Sequence, residues 1–380
     1  MWRMYAGTFR ADYSRLERTP FSRAHLQLLS VVVVGAGALG NEVTRALGLM
    51  GVGKVMVVDP DIVEATNLPR SIFFCRSNAT GRNKARVLAE AASTMFLDTA
   101  WSAIESEIAD VGFQELKGTD LIFSCVDSDL ARLEIAYIST KLGIPVLDAG
   151  LGRSNYSHGR VTFFPGRVDR ACYACMLTPG KRRELLTWWE ATLRPCGAEN
   201  GSSENDSVST PTMAAIIGSL QVDFGLHSLF EMQSSPPATC RSIEVDIHPA
   251  REIREFTIPV SADCPFHEPS ESLHAMSQGP KGEETFEDLL DRASSDLVML
   301  DWPICTGAMC VVCEKSWSPM QRLAALRRRG QCLACGSRNV VEQKVVRSIG
   351  RDSIWLRSTP STLKLPAKHL YSVQRGSRVA

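Results

Sequence analysis

Three glycines close a run of four valines in Val31-Val-Val-Val34-Gly35-Ala-Gly37-Ala-Leu-Gly40, and a helical segment follows. In such a pattern one glycine permits the tight turn, one lets backbone amides approach a phosphate, and one packs the helix on a sheet. A second apolar run, Val55 to Val58, ends on Asp59, where a carboxylate can take ribose hydroxyls. To this point a dinucleotide site is the simplest reading. The next residues change it: Asp61-Ile-Val-Glu-Ala-Thr-Asn67-Leu-Pro-Arg70 sets an amide and a guanidinium just past the strand, where a dinucleotide has no use for them and a triphosphate does. Lys84 stands in the first turn of a helix opening near Asn83, and a cation there opposes the helix dipole unless it faces a phosphate. Arg82 is a possible substitute for it. The segment Asp120 to Asp127 reads as a buried strand ending in a carboxylate, which in an open parallel sheet points into the ligand crevice, with Asp129 expected to cap the helix beyond.

The thiols form a second layer of chemistry. Cys172-x-x-Cys175 and the distant Cys264-x-x-His267 together supply three sulfurs and one nitrogen, a closed tetrahedral zinc site. Cys310-x-x-Cys313, eighteen residues and Cys332-x-x-Cys335 make a second, four-thiolate structural site of zinc-ribbon type, with Cys305 the spare. Cys196 stands apart, at the head of the polar stretch Gly-Ala-Glu-Asn-Gly-Ser-Ser-Glu-Asn-Asp-Ser that cannot bury a core. Arg194 nearby would lower its pKa and favour the nucleophilic thiolate. Cys75, Cys125 and Cys240 are read as small core residues.

The elements needed to position these groups are strand, glycine turn, helix and strand, repeated: a Rossmann-like, doubly wound, mostly parallel α/β sheet. Gly159-Arg-Val-Thr-Phe-Phe-Pro begins an antiparallel extension, and Ser209 to Gln221 reads as a small-residue helix. The organisation expected is an arm over 1–30, a nucleotide domain over 31–270 with a crossover loop at about 194–210, a Ser/Pro/Gly-rich linker over 271–284, and a basic zinc-ribbon module over 285–380. The module should open with the amphipathic Thr285-Phe-Glu-Asp-Leu-Leu and a strand from Leu297 to Trp302. Ser353 to Ser372 alternates and reads as short strands; Leu363-Lys-Leu-Pro within it has no assigned role.

The glycine turn, Asp59-x-Asp61, Asn67-Leu-x-Arg70, Gly81-x-x-Lys84 and Ser124-Cys-Val-Asp127 resemble the ThiF/MoeB/HesA superfamily, the adenylating enzymes that include the ubiquitin-activating enzymes. The resemblance ends near residue 270. It implies ATP as substrate, Asp127 holding the magnesium that bridges the phosphates, and Cys196 as the thiol accepting an activated carboxylate. It also implies a homodimer, in which Arg15 of Tyr13-Ser-Arg15 reaches the partner's nucleotide as a finger. His267 departs from the family's second Cys-x-x-Cys, and there is one residue more than usual between Arg70 and Lys84.

The function expected is adenylation of the C-terminal glycine of a ubiquitin-like protein, thioester formation on Cys196, and transfer to a conjugating enzyme or target. A sulfur-carrier adenylyltransferase of thiamine or molybdopterin type is the alternative within the class. Outside it stand a catalytically inactive nucleotide-binding scaffold and an NAD-dependent oxidoreductase, which Asn67 and Arg70 disfavour.

With 42 basic and 42 acidic residues, no global charge argues for nucleic acid or a membrane surface, although 14 Lys/Arg against 3 Asp/Glu from Glu314 onward make that tail basic. The charged first residues do not read as a signal peptide, and no uninterrupted apolar run reaches membrane-spanning length. A cytoplasmic protein is expected, and its twelve cysteines are then ligands and thiols, not a disulfide framework.

Overall fold

A computed structural model describes residues 12–75, 79–152, 155–189, 210–234, 239–249, 251–267, 275–278, 284–366 and 368–374. The first half runs α1 (Arg23–Leu28), β1 (Ser30–Val34), α2 (Ala38–Met50), β2 (Lys54–Val58), α3 (Lys84–Met95), β3 (Ala100–Ile104), α4 (Phe113–Leu116), β4 (Leu121–Ser124), α5 (Asp129–Leu142), β5 (Val146–Leu151) and β6 (His158–Phe164). Then come α6 (Tyr173–Met176), α7 (Pro179–Trp189), α8 (Pro211–Ser234), β7 (Cys240–Asp246) and β8 (Glu252–Ile258). The C-terminal part contains β9 (Ala275–Gln278), α9 (Phe286–Ala293), β10 (Leu297–Cys310), β11 (Ser316–Trp317), β12 (Gln321–Arg322), α10 (Leu323–Arg329), β13 (Val340–Gly350) and β14 (Leu370–Gln374).

Eight strands form one sheet in the order β3-β2-β1-β4-β5-β6-β7-β8. The pairs from β3 to β5 are parallel and those from β5 to β8 antiparallel, the mixed α/β sheet expected. Val31 to Val34 are buried because parallel strands have both faces covered. Val31 and Val33 face one apolar cluster with Leu47, Leu88 and Ile217. Val32 and Val34 face the other, with Ile122 and Leu133. Helix α8 is 24 residues long, extending well past Gln221. Its stretch Pro211–Met232 is apolar and long enough to cross a membrane by composition, but it packs against α2, β5 and β6.

The C-terminal module is a six-stranded sheet centred on β10, which pairs with β11, β12, β13 and β14. Its strand β9 lies inside the stretch read as linker, pairing antiparallel with β14. Thr285 caps α9 in a reciprocal capping box with Asp288. The strand expected from Leu297 to Trp302 continues to Cys310. Between 353 and 372 the alternation misleads: Pro360–Leu363 is a 3-10 turn and the strand begins only at Leu370. Leu363 is buried in the module's core, which gives that segment a packing role.

Trp302 and Leu370 join Ile122 and Leu133 in the second apolar cluster, with the Trp302 ring 5.3 Å from Tyr137 and the His369 ring 4.3 Å from Phe113, so the module packs against the domain of the eight-stranded sheet. Around this seam Asp301 accepts from Tyr137 Oη at 2.6 Å and pairs with His369 Nε2 at 2.8 Å and with Lys141. Arg322, 6% exposed, bonds Glu134 at 2.8 Å, Asp110 at 2.6 Å and Glu107. A buried guanidinium needs that many carboxylates to offset its lost hydration.

Candidate nucleotide cleft and metal sites

A cleft of about 240 Å³ opens beyond the C-terminal ends of β1, β2 and β4. It lies where the strand order reverses, the position at which open α/β sheets bind ligands. The glycine turn is shaped for it. Gly35 has φ +95°, and a Cβ there would meet the Cys125 carbonyl at 2.6 Å. A Cβ on Gly40 would come within 1.9 Å of the Gly35 oxygen, whereas one on Gly37 would meet nothing within 4 Å, leaving its backbone open. Asn41 pins the turn, donating to Ala36 O at 2.9 Å and accepting from the Phe73 amide at 3.0 Å. The fingerprint alone did not reveal that brace.

Asp59, Asp61, Asn67, Arg70, Lys84 and Asp127 line the cleft with Gly35 and Gly37. Asp59 is buried and accepts from the Ala36 amide at 2.6 Å and the Asp61 amide at 2.8 Å. Burial raises its pKa, against the pull of those two amides and of Lys84. Its oxygens therefore tie β2 to the glycine turn as well as facing the cleft, and each keeps a lone pair for a further donor. Asn67 Oδ1 accepts from the Glu64 amide at 2.9 Å, fixing the turn that carries Arg70. Lys84 is the first residue of α3, after the cap Asn83, and pairs with Asp61 at 3.2 Å; Arg82 pairs with Glu90 and is not a lining residue. The misplaced helix charge is thus offset by Asp61 in the free protein.

Ser128, not Asp129, caps α5, its hydroxyl accepting from the Ala131 amide at 3.4 Å. Asp129 instead accepts from Tyr173 Oη at 3.0 Å. Sequence reasoning also passed over Arg132, which lines the cleft, bonds Asp148 at 3.0 Å and donates to the Val126 carbonyl at 2.7 Å beside Asp127. Glu107, Arg328 and Arg329 also line it. Arg15 is exposed and is not a lining residue, and Cys196 lies outside the described residues.

The eleven described cysteines are free. Cys125 and Cys240 are buried as expected, but Cys75 is exposed, so the core reading fails there: it follows the buried pair Phe73 and Phe74 onto the surface. Burial raises the pKa of Cys125 far above the ordinary thiol range, which removes it as a nucleophile.

Two groups of ligand atoms, Cys172, Cys175, Cys264 and His267 in one and Cys310, Cys313, Cys332 and Cys335 in the other, each lie within 4.8 Å of one another and could form a zinc site. In the first, Cys172 and Cys264 sulfurs are 3.7 Å apart and His267 Nε2 is 3.1 Å from Cys175. His267 Nδ1 lies 2.8 Å from the Val168 carbonyl, an arrangement that leaves Nε2 for a metal. In the second, Cys310 to Cys335 is 3.6 Å and Cys313 to Cys332 is 3.5 Å.

A mixed sheet with a phosphate-type glycine turn at its switch point defines an α/β nucleotide-cleft protein. The particular lineage is clear as well: the ThiF family profile matches residues 17–265, and the chain belongs to that family. It is 27% identical over 165 residues to ubiquitin-like modifier-activating enzyme 5 of Dictyostelium discoideum, covering 40% of this chain and 42% of that one. It is 29% identical over 163 residues to the SAMP-activating enzyme E1 of Haloferax volcanii, covering 41% and 56%. With the adenylyltransferase and sulfurtransferase UBA4 of Saccharomyces cerevisiae it shares 30% over 176 residues, 45% of this chain and 39% of that one. The matched regions thus span about half or less of these relatives.

Proposed function

We propose that this chain activates the C-terminal carboxylate of a ubiquitin-like protein with ATP. The observation that carries the reading is the convergence of Gly35, Gly37, Asp59, Asn67, Arg70, Lys84 and Asp127 on one cleft in a ThiF-family chain. The substrate carboxylate attacks the α-phosphate, forming an acyl–oxygen–phosphorus linkage as pyrophosphate leaves with the other two phosphates. A carboxylate is already a nucleophile, so no general base is required. The protein contributes position and charge: amides of the glycine turn and the α2 N-terminus at phosphate, Asp59 at the ribose, and Asn67, Arg70 and Lys84 along the phosphates. Asp127 offers the hard oxygen ligand that magnesium takes, an ion that supplies charge neutralisation on the phosphates when bound.

Cys196 then attacks the acyl adenylate, its sulfur replacing AMP to give a thioester for a conjugating enzyme or target. The names of the relatives from Dictyostelium and Haloferax support activation of a ubiquitin-like modifier. The UBA4 relative supports the second version, a sulfur-carrier adenylyltransferase, in which the adenylate passes to a sulfur donor instead. Both metal groups are assigned to structural zinc: tetrahedral zinc–sulfur bonds of about 2.3 Å separate sulfurs by about 3.8 Å, close to the 3.5–3.7 Å observed. A homodimer with Arg15 serving the partner's site, and a cytoplasmic location in keeping with free thiols, complete the reading.

The test is ATP–pyrophosphate exchange with a small protein ending in diglycine. Exchange dependent on that protein supports activation; NAD binding without exchange refutes it. A reductant-sensitive adduct lost in Cys196→Ala separates the thioester version from the sulfur-carrier one.

A further inference from the structure

Helix α10 ends in three arginines with three different environments. Arg327 is buried, bonding Glu342 at 3.0 Å and the Thr187 carbonyl. Arg328 pairs with Glu107, and Arg329 is 56% exposed, lying 3.4 Å from Glu107 and 4.0 Å from Asp61. Arginines in a last helical turn complement the dipole wherever they point. That does not explain why these two line the nucleotide cleft, more than two hundred residues after the carboxylates they meet, Glu107 and Asp61. Asp61 is shared: Lys84 holds it at 3.2 Å from one side and Arg329 approaches from the other. Arg329 therefore stands next to the lysine assigned to the phosphates, on loose contacts that a more highly charged group can displace. Arg328, shorter in reach because Glu107 holds it, fixes the end of the helix.

We infer that Arg329 is a nucleotide-binding residue, supplied in cis by the zinc-ribbon module to the phosphate chain of ATP, with Arg328 its positioning residue. On binding, the guanidinium exchanges its 4.0 Å approach to half-exposed Asp61 for phosphate oxygens that its planar fork matches. The module is then part of the nucleotide site. The inference rests on the proposed function only in taking the cleft to bind ATP, and needs no ubiquitin-like protein.

The experiment measures ATP and adenosine affinity by calorimetry on the full chain. Arg329→Ala should weaken ATP about tenfold, the scale of one charge-assisted contact, leave adenosine unchanged and flatten the salt dependence. Arg329→Lys should recover part of the loss, and Arg357→Ala, a module charge that is 86% exposed, should change nothing. Unchanged ATP affinity in Arg329→Ala overturns the inference, as does an equal loss for ATP and adenosine, which would mark a structural effect. Should the wild-type chain bind no ATP, the proposed function falls with it; wild-type binding with an insensitive Arg329 sinks the inference alone.

Discussion

The two walls of the cleft are built differently. The first, from Gly35 to Asp127, consists of residues at the ends of neighbouring parallel strands, held by backbone hydrogen bonds and by Asn41 and Asp59. The second, Arg328 and Arg329, comes from helix α10 of the C-terminal module and is held there by side-chain ion pairs and one shared apolar cluster. Each is backed by a metal-capable knuckle. Tyr173, next to Cys172, bonds Asp129 behind the first wall, and Cys332 is the third residue after the end of α10 at Arg329 in the second. The first wall is a property of the domain fold, and the second depends on docking. A mutation in one should abolish chemistry, and a mutation in the other should tune it.

The largest effect expected is Asp127→Ala, with exchange falling by about a hundredfold or more while circular dichroism stays native; exchange near wild type would remove Asp127 from the site. Next comes Trp302→Ala at the docking seam, costing about 3–5 kcal/mol by loss of a buried aromatic. Chemical denaturation checks the stability loss, and nucleotide affinity should weaken in parallel if the second wall depends on docking. If stability drops but affinity does not, the seam and the cleft are uncoupled. Replacing one ligand at each metal group sharpens the contrast further. Cys175→Ser and Cys335→Ser should each lose one of two metal equivalents per chain by elemental analysis. The first should depress turnover through Asp129, and the second should raise KM for ATP with less effect on kcat. Identical kinetic signatures would contradict two separately braced walls.

A smaller effect is set by pH. Burial pushes Asp301 upward, but His369 and Lys141 outweigh it and hold its carboxyl below the ordinary range. For Glu107, burial is outweighed by Arg328, Arg322 and Arg329. A depressed folded pKa gives stability that is present above the unfolded value and lost as pH falls through the folded one. Docking should therefore persist at neutral pH and loosen only below about pH 4, the ordinary carboxylate range. Tryptophan fluorescence near Trp302 should report it; loosening between pH 5 and 7 would point to other groups.

The first wall was legible because its chemistry is local in sequence. Gly35, Asp59, Asn67, Arg70 and Lys84 sit at fixed offsets from strand ends, and strand order brings those ends together. Both metal groups were legible for the same reason, since a two-residue gap within each knuckle fixes ligand geometry; only the pairing of Cys172 with Cys264 required a long-range guess. The second wall was not. Arg327-Arg328-Arg329 reads as part of a basic tail, and its distance in sequence from Asp61 and Glu107 leaves no pattern to find. Glu107 could have been suspected, because a carboxylate just beyond a third parallel strand faces the same crevice as Asp59. The alternation from Ser353 to Ser372 failed because two prolines and a run of Ser and Thr favour turns, with Leu363 as the buried anchor. Asp129 was displaced as cap by a serine one residue earlier, an equally good acceptor.

The seam at Trp302 and Leu370 has a consequence for the birth of the protein. A growing chain that has delivered every strand of the eight-stranded sheet still lacks Trp302, His369 and Leu370, which pack on Tyr137 and Phe113 and complete the second apolar cluster. Synthesis adds on the order of ten residues each second, so that oily surface stays bare for several seconds after the sheet could first assemble. Chaperone demand should concentrate in that interval, and slowing translation between residues 260 and 370 should lengthen it.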